Sequence, residues 1–152
     1  MWIELFSNIP NLYFAFFSSM GGHGALSIAL REQNEWVSVS AFAPICNPTM
    51  VPWGKKAFEA YLGSIEAGKA HDATCLLKEK TAFDDILVDQ GTADQFLEGQ
   101  LSTNALEGQA KEVGKNVTIN MREGFDHSYH FIAAFIEDHV EFHGKRLRAK
   151  LE

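Results

Sequence analysis

Leu12-Tyr13-Phe14-Ala15-Phe16-Phe17-Ser18-Ser19-Met20-Gly21-Gly22-His23-Gly24-Ala25-Leu26-Ser27-Ile28-Ala29-Leu30 is the stretch that decides the fold. Leu12 to Phe17 is a short apolar, aromatic run, and its length and aromatic content favour a buried strand. Polar Ser18 and Ser19 and the glycines behind them close it. From Gly24 to Gln33, the residues Ala25, Leu26, Ile28, Ala29 and Leu30 make a mostly apolar helix. A strand that runs straight into a helix is the repeating unit of a sheet with crossover helices.

The same unit recurs downstream. Val37 to Ala43 alternates Val-Ser-Val-Ser-Ala-Phe-Ala and reads as a second strand. Residues 44–55 hold three of the four prolines and form a loop. A short amphipathic helix is expected from Lys55 to Leu62, then an irregular polar stretch to about Phe83. Asp85 to Asp89 makes a third strand, closed by Gln90-Gly91. Ala93 to about Val113 is helical in pattern, with a break expected near Gly99. Asn116 to Arg122 alternates as a fourth strand, closed by Glu123-Gly124. Ser128 then opens a long helix to about Lys150, with apolar positions Phe131, Ile132, Phe135, Ile136, Val140 and Phe142. Strand followed by helix, repeated along the chain, predicts an α/β fold with a mainly parallel sheet and flanking helices.

Composition narrows the function. The chain has 152 residues and a formal charge of −7, with no basic stripe to neutralise phosphates, which argues against a nucleic-acid partner. Its basic cluster, Lys145-Arg146-Leu147-Arg148-Ala149-Lys150, falls in the last turns of the final helix, where cations suit the macrodipole. Cys46 and Cys75 lack C-x-x-C spacing and suit buried thiols in a reducing compartment. Residues 1–17 are apolar but carry Glu4, Asn8, Pro10 and Asn11 and no Lys or Arg. They fit neither a signal peptide nor a membrane span, so a cytoplasmic location away from membranes is expected.

Three polar residues fall just beyond strand ends: Ser19 after the first, Asp94 after the third, His127 after the fourth. The carboxyl ends of parallel strands share one edge, where ligands bind. The order Ser…Asp…His is that of an α/β-hydrolase triad: a hydroxyl nucleophile, a carboxylate, and an imidazole whose tautomer the carboxylate fixes. Asp89 and Asp84 are rivals for the acid. His127 and His130 stand three apart but lack a third ligand, so no metal site is expected.

Ser19-Met20-Gly21-Gly22-His23-Gly24-Ala25-Leu26 resembles the nucleophile elbow and following helix of the S-formylglutathione hydrolase (esterase D) family. The similarity continues through Val37–Asn47, Pro52–Phe58, Asp85–Gly91, Asp94–Leu97 and Gly124–Ile132. It implies an α/β-hydrolase fold with Ser19 as nucleophile, Asp94 as acid and His127 as base. The Met20 N–H would be one oxyanion-hole donor. The implied reaction is hydrolysis of S-formylglutathione to glutathione and formate in cytosolic formaldehyde disposal, with simple carboxyl esters also cleaved. The family needs no cofactor and is commonly homodimeric. Trp53, Lys55 and Lys56 are candidates near the pocket, set against loop packing and a solvated helix start.

Two departures qualify the resemblance. The elbow should read G-x-S-x-G, but Phe17 holds the first glycine's place and Ser18 a histidine's, so the turn is expected to be distorted or prevented. The family is also about twice as long. On this reading residues 18–152 are the C-terminal part of a hydrolase domain that lacks its N-terminal strands and the loop giving a second oxyanion donor. Residues 1–17 are an atypical start. A fragment with impaired activity follows, since one lost donor costs about 10²–10³ in turnover. The alternative is a catalytically dead chain that associates with a partner through an exposed sheet edge at Tyr13, Phe14, Phe16 and Phe17.

Overall fold

Parallel pairing organises the chain. The computed structural model describes residues 13–32, 36–78 and 85–152. The elements run β1 (Tyr13–Ser18), α1 (Ser19–Arg31), β2 (Trp36–Phe42), α2 (Pro52–Leu62), α3 (Ile65–Gly68) and α4 (Ala73–Lys78). They continue with β3 (Ile86–Gly91), α5 (Thr103–Val113), β4 (Val117–Arg122) and α6 (Tyr129–Leu151). Among the described residues the sheet has four strands in the order β1-β2-β3-β4, every neighbouring pair parallel. The α/β expectation from the strand–helix alternation is met. Residues 1–12 of the segment 1–17 set apart above as atypical, and the rival Asp84, lie outside the described residues.

Alternation along β2 separates two layers, because successive side chains point to opposite faces. Val39 and Ala41 join Leu26, Ala29, Leu30, Ile86, Val88, Leu76, Leu77 and Leu106 in one core, under α1, α4 and α5. Phe42 points the other way, into a second cluster with Leu101, Phe131, Phe125, Phe135 and Ile132 beneath α6. Each fully buried leucine or phenylalanine contributes about 1.5–3 kcal/mol, so the two layers clamp the sheet from both sides. Ser38 and Ser40 also face α6, where they meet two buried histidines. Ser38 Oγ lies 2.7 Å from His143 Nδ1, and Ser40 Oγ lies 2.8 Å from His143 Nε2 and 2.7 Å from His139 Nδ1.

Several boundaries differ from the sequence reading. α1 starts at Ser19, well before the expected Gly24, because the strand turns directly into the helix. α2 starts at Pro52 rather than Lys55, with proline in the first turn, where its missing N–H costs nothing. The stretch expected to be irregular carries α3, a 3₁₀ turn at Lys69–His71 and α4. The expected 93–113 helix breaks not at Gly99 but at Ser102, whose φ of 52° separates a π-turn (Leu97–Leu101) from α5. No helix is long and apolar enough to cross a membrane among the described residues.

Candidate active site

The first polar residue beyond β1 sits in a strained turn. Ser18 is extended, at φ −116° and ψ 154°, and Ser19 follows with a φ of 55°. A non-glycine residue there is held by its surroundings, and such strain gathers at functional sites. What permits the turn is the pair of glycines behind it. A Cβ at Gly21 would lie 3.3 Å from the Phe17 Cβ, and one at Gly22 would lie 3.0 Å from the Pro44 Cβ. The turn forms with Phe17 in place, so the expectation that Phe17 prevents the elbow is corrected. Gly21 leaves room for its side chain, which packs half-buried against the core under α1. Met20 is in the first turn of α1, where backbone N–H groups lack intrahelical acceptors and can face an anion.

The other two candidates are brought together by a zipper between the loops after β3 and β4. Thr92 N donates to Arg122 O at 3.0 Å, Ala93 N to Phe125 O at 3.0 Å, and Gly124 N to Thr92 Oγ1 at 2.9 Å. Gly91 lets the strands close this far, since a Cβ there would stand 2.2 Å from Phe125 O. His127 Nδ1 then donates to Asp94 Oδ2 at 2.6 Å. The Asp94 side chain is fully buried, and its Oδ1 accepts the Phe96 N–H at 2.8 Å. Phe96 meets the His127 ring edge-on with centroids 5.2 Å apart, and Trp53 packs on Phe96 at 4.9 Å.

Ser19 and His127 line one cleft of about 460 Å³, with Ser18, Phe42, Ala43, Tyr129 and Ile132 also in its walls. Thus His127 is hydrogen-bonded to Asp94, and Ser19 shares the His127 cleft. The rival acid Asp89 is committed elsewhere: its carboxylate accepts from Arg122 Nε at 2.6 Å and from Asn120 Nδ2 at 2.8 Å. Burial pushes the Asp89 carboxyl up, but the His139 ring 3.7 Å away and the bonds from Arg122 and Asn120 outweigh it and hold it below the usual range. His130 is exposed on the first turn of α6. Among the described residues no cluster of His, Cys, Asp or Glu is arranged to hold a metal ion.

Phe96, Gly91 and Gln90 contribute to the site without having been singled out. A glycine at a strand end hints at close backbone approach. The partner, Phe125, lies 34 positions away, and nothing local identifies it.

The geometry has counterparts among known proteins. A family model described as "Putative esterase" matches residues 16–142. S-formylglutathione hydrolase of Rattus norvegicus is 50% identical over 143 residues, which are 92% of this chain and 51% of the relative. That of Arabidopsis thaliana is 49% identical over 131 residues, 85% of this chain and 46% of the relative. The chain thus spans about half the length of the curated relatives it matches. Among solved structures, an S-formylglutathione hydrolase from Agrobacterium tumefaciens superposes with a TM-score of 0.83 at 41% identity, covering 87% of this chain and 48% of that one. A ferulic acid esterase matches at 0.68 with 15% identity, over 91% of this chain and 53% of its own, a likeness of fold alone. The fold is of the α/β-hydrolase type.

Proposed function

Since the chain belongs to this esterase family, we propose that it carries the catalytic half-site of a serine thioester hydrolase acting on S-formylglutathione. The observation that carries the reading is the 2.6 Å bond from His127 to buried Asp94, beside a cleft that also holds Ser19 at its strained φ. Ser19 Oγ attacks the formyl carbon while His127 Nε2 takes its proton. Asp94 holds the Nδ1–H tautomer and stabilises the imidazolium that forms. The Met20 N–H faces the developing oxyanion. Collapse breaks the C–S bond, and His127 returns the proton to the departing glutathione sulfur. Water, deprotonated by His127, then attacks the formyl-enzyme; as the Ser19 Oγ–carbon bond breaks, His127 returns that proton to Oγ, which frees Ser19 and releases formate. No cofactor enters these steps. The relatives at about 50% identity, themselves S-formylglutathione hydrolases, support this choice of substrate over bulkier esters.

The test compares thioester loss from S-formylglutathione with hydrolysis of a bulky acyl ester. Turnover of the formyl thioester, abolished in Ser19→Ala, supports the reading; preference for the bulky ester moves the chain to a general carboxylesterase role. A second reading is association through β1, which lies at one end of the sheet among the described residues and exposes Tyr13 at its start. A concentration-independent monomer mass in solution removes its homodimeric form.

A further inference from the structure

Beside the His127–Asp94 pair lies a side chain to which the reaction above gives no task. Gln90, the penultimate residue of β3, is fully buried. A buried carboxamide is costly unless its polar atoms are matched. Here they are: Nε2 donates to Asp94 Oδ2 at 3.1 Å and to Gly91 O at 3.1 Å, while Oε1 accepts from Thr103 Oγ1 at 3.2 Å. The opposite flip would set Oε1 against a carboxylate and a carbonyl, both acceptors, so the amide has one workable orientation.

Asp94 Oδ2 therefore receives two donors, Gln90 and His127, and Oδ1 receives the Phe96 N–H. The Phe96 bond alone fixes one oxygen and leaves the carboxylate free to pivot about it. A second protein donor, held from behind by Thr103 at the start of α5, fixes its plane. Being neutral, Gln90 does this without cancelling the negative charge that the imidazolium needs. We propose that Gln90, backed by Thr103, is a positioning residue that holds Asp94 Oδ2 on the His127 Nδ1–H, and so keeps the Nε2 lone pair free for Ser19. The consequence for turnover rests on the hydrolase reading; the hold on His127 does not.

The test is ¹⁵N-histidine NMR on the full chain near neutral pH, with His127 assigned by His127→Gln. The wild-type protein should show a protected, downfield His127 Nδ1–H. In Gln90→Met its exchange with water should rise about fivefold to tenfold, the effect of losing one neutral hydrogen bond, and the ¹⁵N shifts should move toward a mixture of tautomers. Thr103→Val, nearly isosteric, should move both readouts the same way by less, and it serves if Gln90→Met does not fold. In the hydrolysis assay Gln90→Met should lose kcat with little change in KM. His127 signals unchanged in both variants would overturn the proposal while leaving the hydrolase reading intact. A wild-type chain with the His127 signature and its response to Gln90→Met, but no thioester hydrolysis, would remove the hydrolase reading and keep the positioning role.

Discussion

Replacing His143 with Gln should flatten the acid side of the protein's stability curve. His143 is 2% exposed, stacked on Phe14 with ring centroids 4.4 Å apart, and its two ring nitrogens lie 2.7 and 2.8 Å from Ser38 and Ser40 hydroxyls. Burial, helped by the charges of His139 and Arg146, pushes its imidazole down from the ordinary 6.5 to about 3. In the unfolded chain the ring takes a proton as pH falls through about 6.5, while in the folded protein it stays neutral to about 3. The unfolded state thus binds more protons throughout that window, and stability must fall as pH falls. At about 1.36 kcal/mol per unit, two units below 6.5 remove about 3 kcal/mol. That is a large share of a typical folding free energy of about 5–15 kcal/mol. His23, also pushed down by burial, acts in the same direction but equally in both proteins. Urea unfolding of wild type and His143→Gln at pH 7.5 and 4.5, followed by circular dichroism, should show wild type losing about 3 kcal/mol more between them. Parallel curves, differing by less than about 0.5 kcal/mol in that change, would refute the reasoning.

Other perturbations probe the loops and the buried ion pair. Gly91→Ala places a Cβ 2.2 Å from Phe125 O and must shift the loop that carries His127; turnover should fall about 100-fold. Gly108→Ala on α5, where an added Cβ meets nothing within 4 Å, should keep activity and raise stability by up to about 1 kcal/mol, read as a higher Tm. Arg122→Met strands the fully buried Asp89 carboxylate, now held by Arg122 at 2.6 Å, and should cost about 3 kcal/mol in urea unfolding at pH 7. The loss should shrink as pH falls, because the stranded carboxylate, its pKa raised by burial without Arg122, takes up a proton.

The strands are legible to within a residue or two because they depend on local pattern, although β3, expected to close at Gln90-Gly91, runs through both. β2, β3 and β4 were placed by alternation and turn residues, and Ser19, Asp94 and His127 followed from lying just beyond strand ends. The start of α1 was misread because Gly21, Gly22 and Gly24 are poor helix formers, while the tight approach to Phe17 and Pro44 that requires two of them is a tertiary fact. The apolar stripe of α6 was only partly right. Val140 is 61% exposed, whereas Phe131, Phe135, His139 and His143, spaced by four, form the face turned to the sheet. Apolar periodicity cannot count two histidines as interior. They are interior because Ser38 and Ser40, which look like the wet side of an alternating strand, point at them instead. The zipper between Gly91 and Phe125 and the Gln90–Asp94–Thr103 contacts join residues through the fold, and no local spacing reveals them.

Covalent labelling of Ser19 by a fluorophosphonate, read by intact mass, tests the central claim most directly. The wild-type chain should gain one phosphonyl group at neutral pH, Ser19→Ala none. Asp94→Asn, which leaves His127 in the wrong tautomer, should label slower by about 10⁴-fold. No labelling of the wild-type chain, under conditions where a full-length relative labels, would contradict the claim that Ser19, His127 and Asp94 form a working nucleophile.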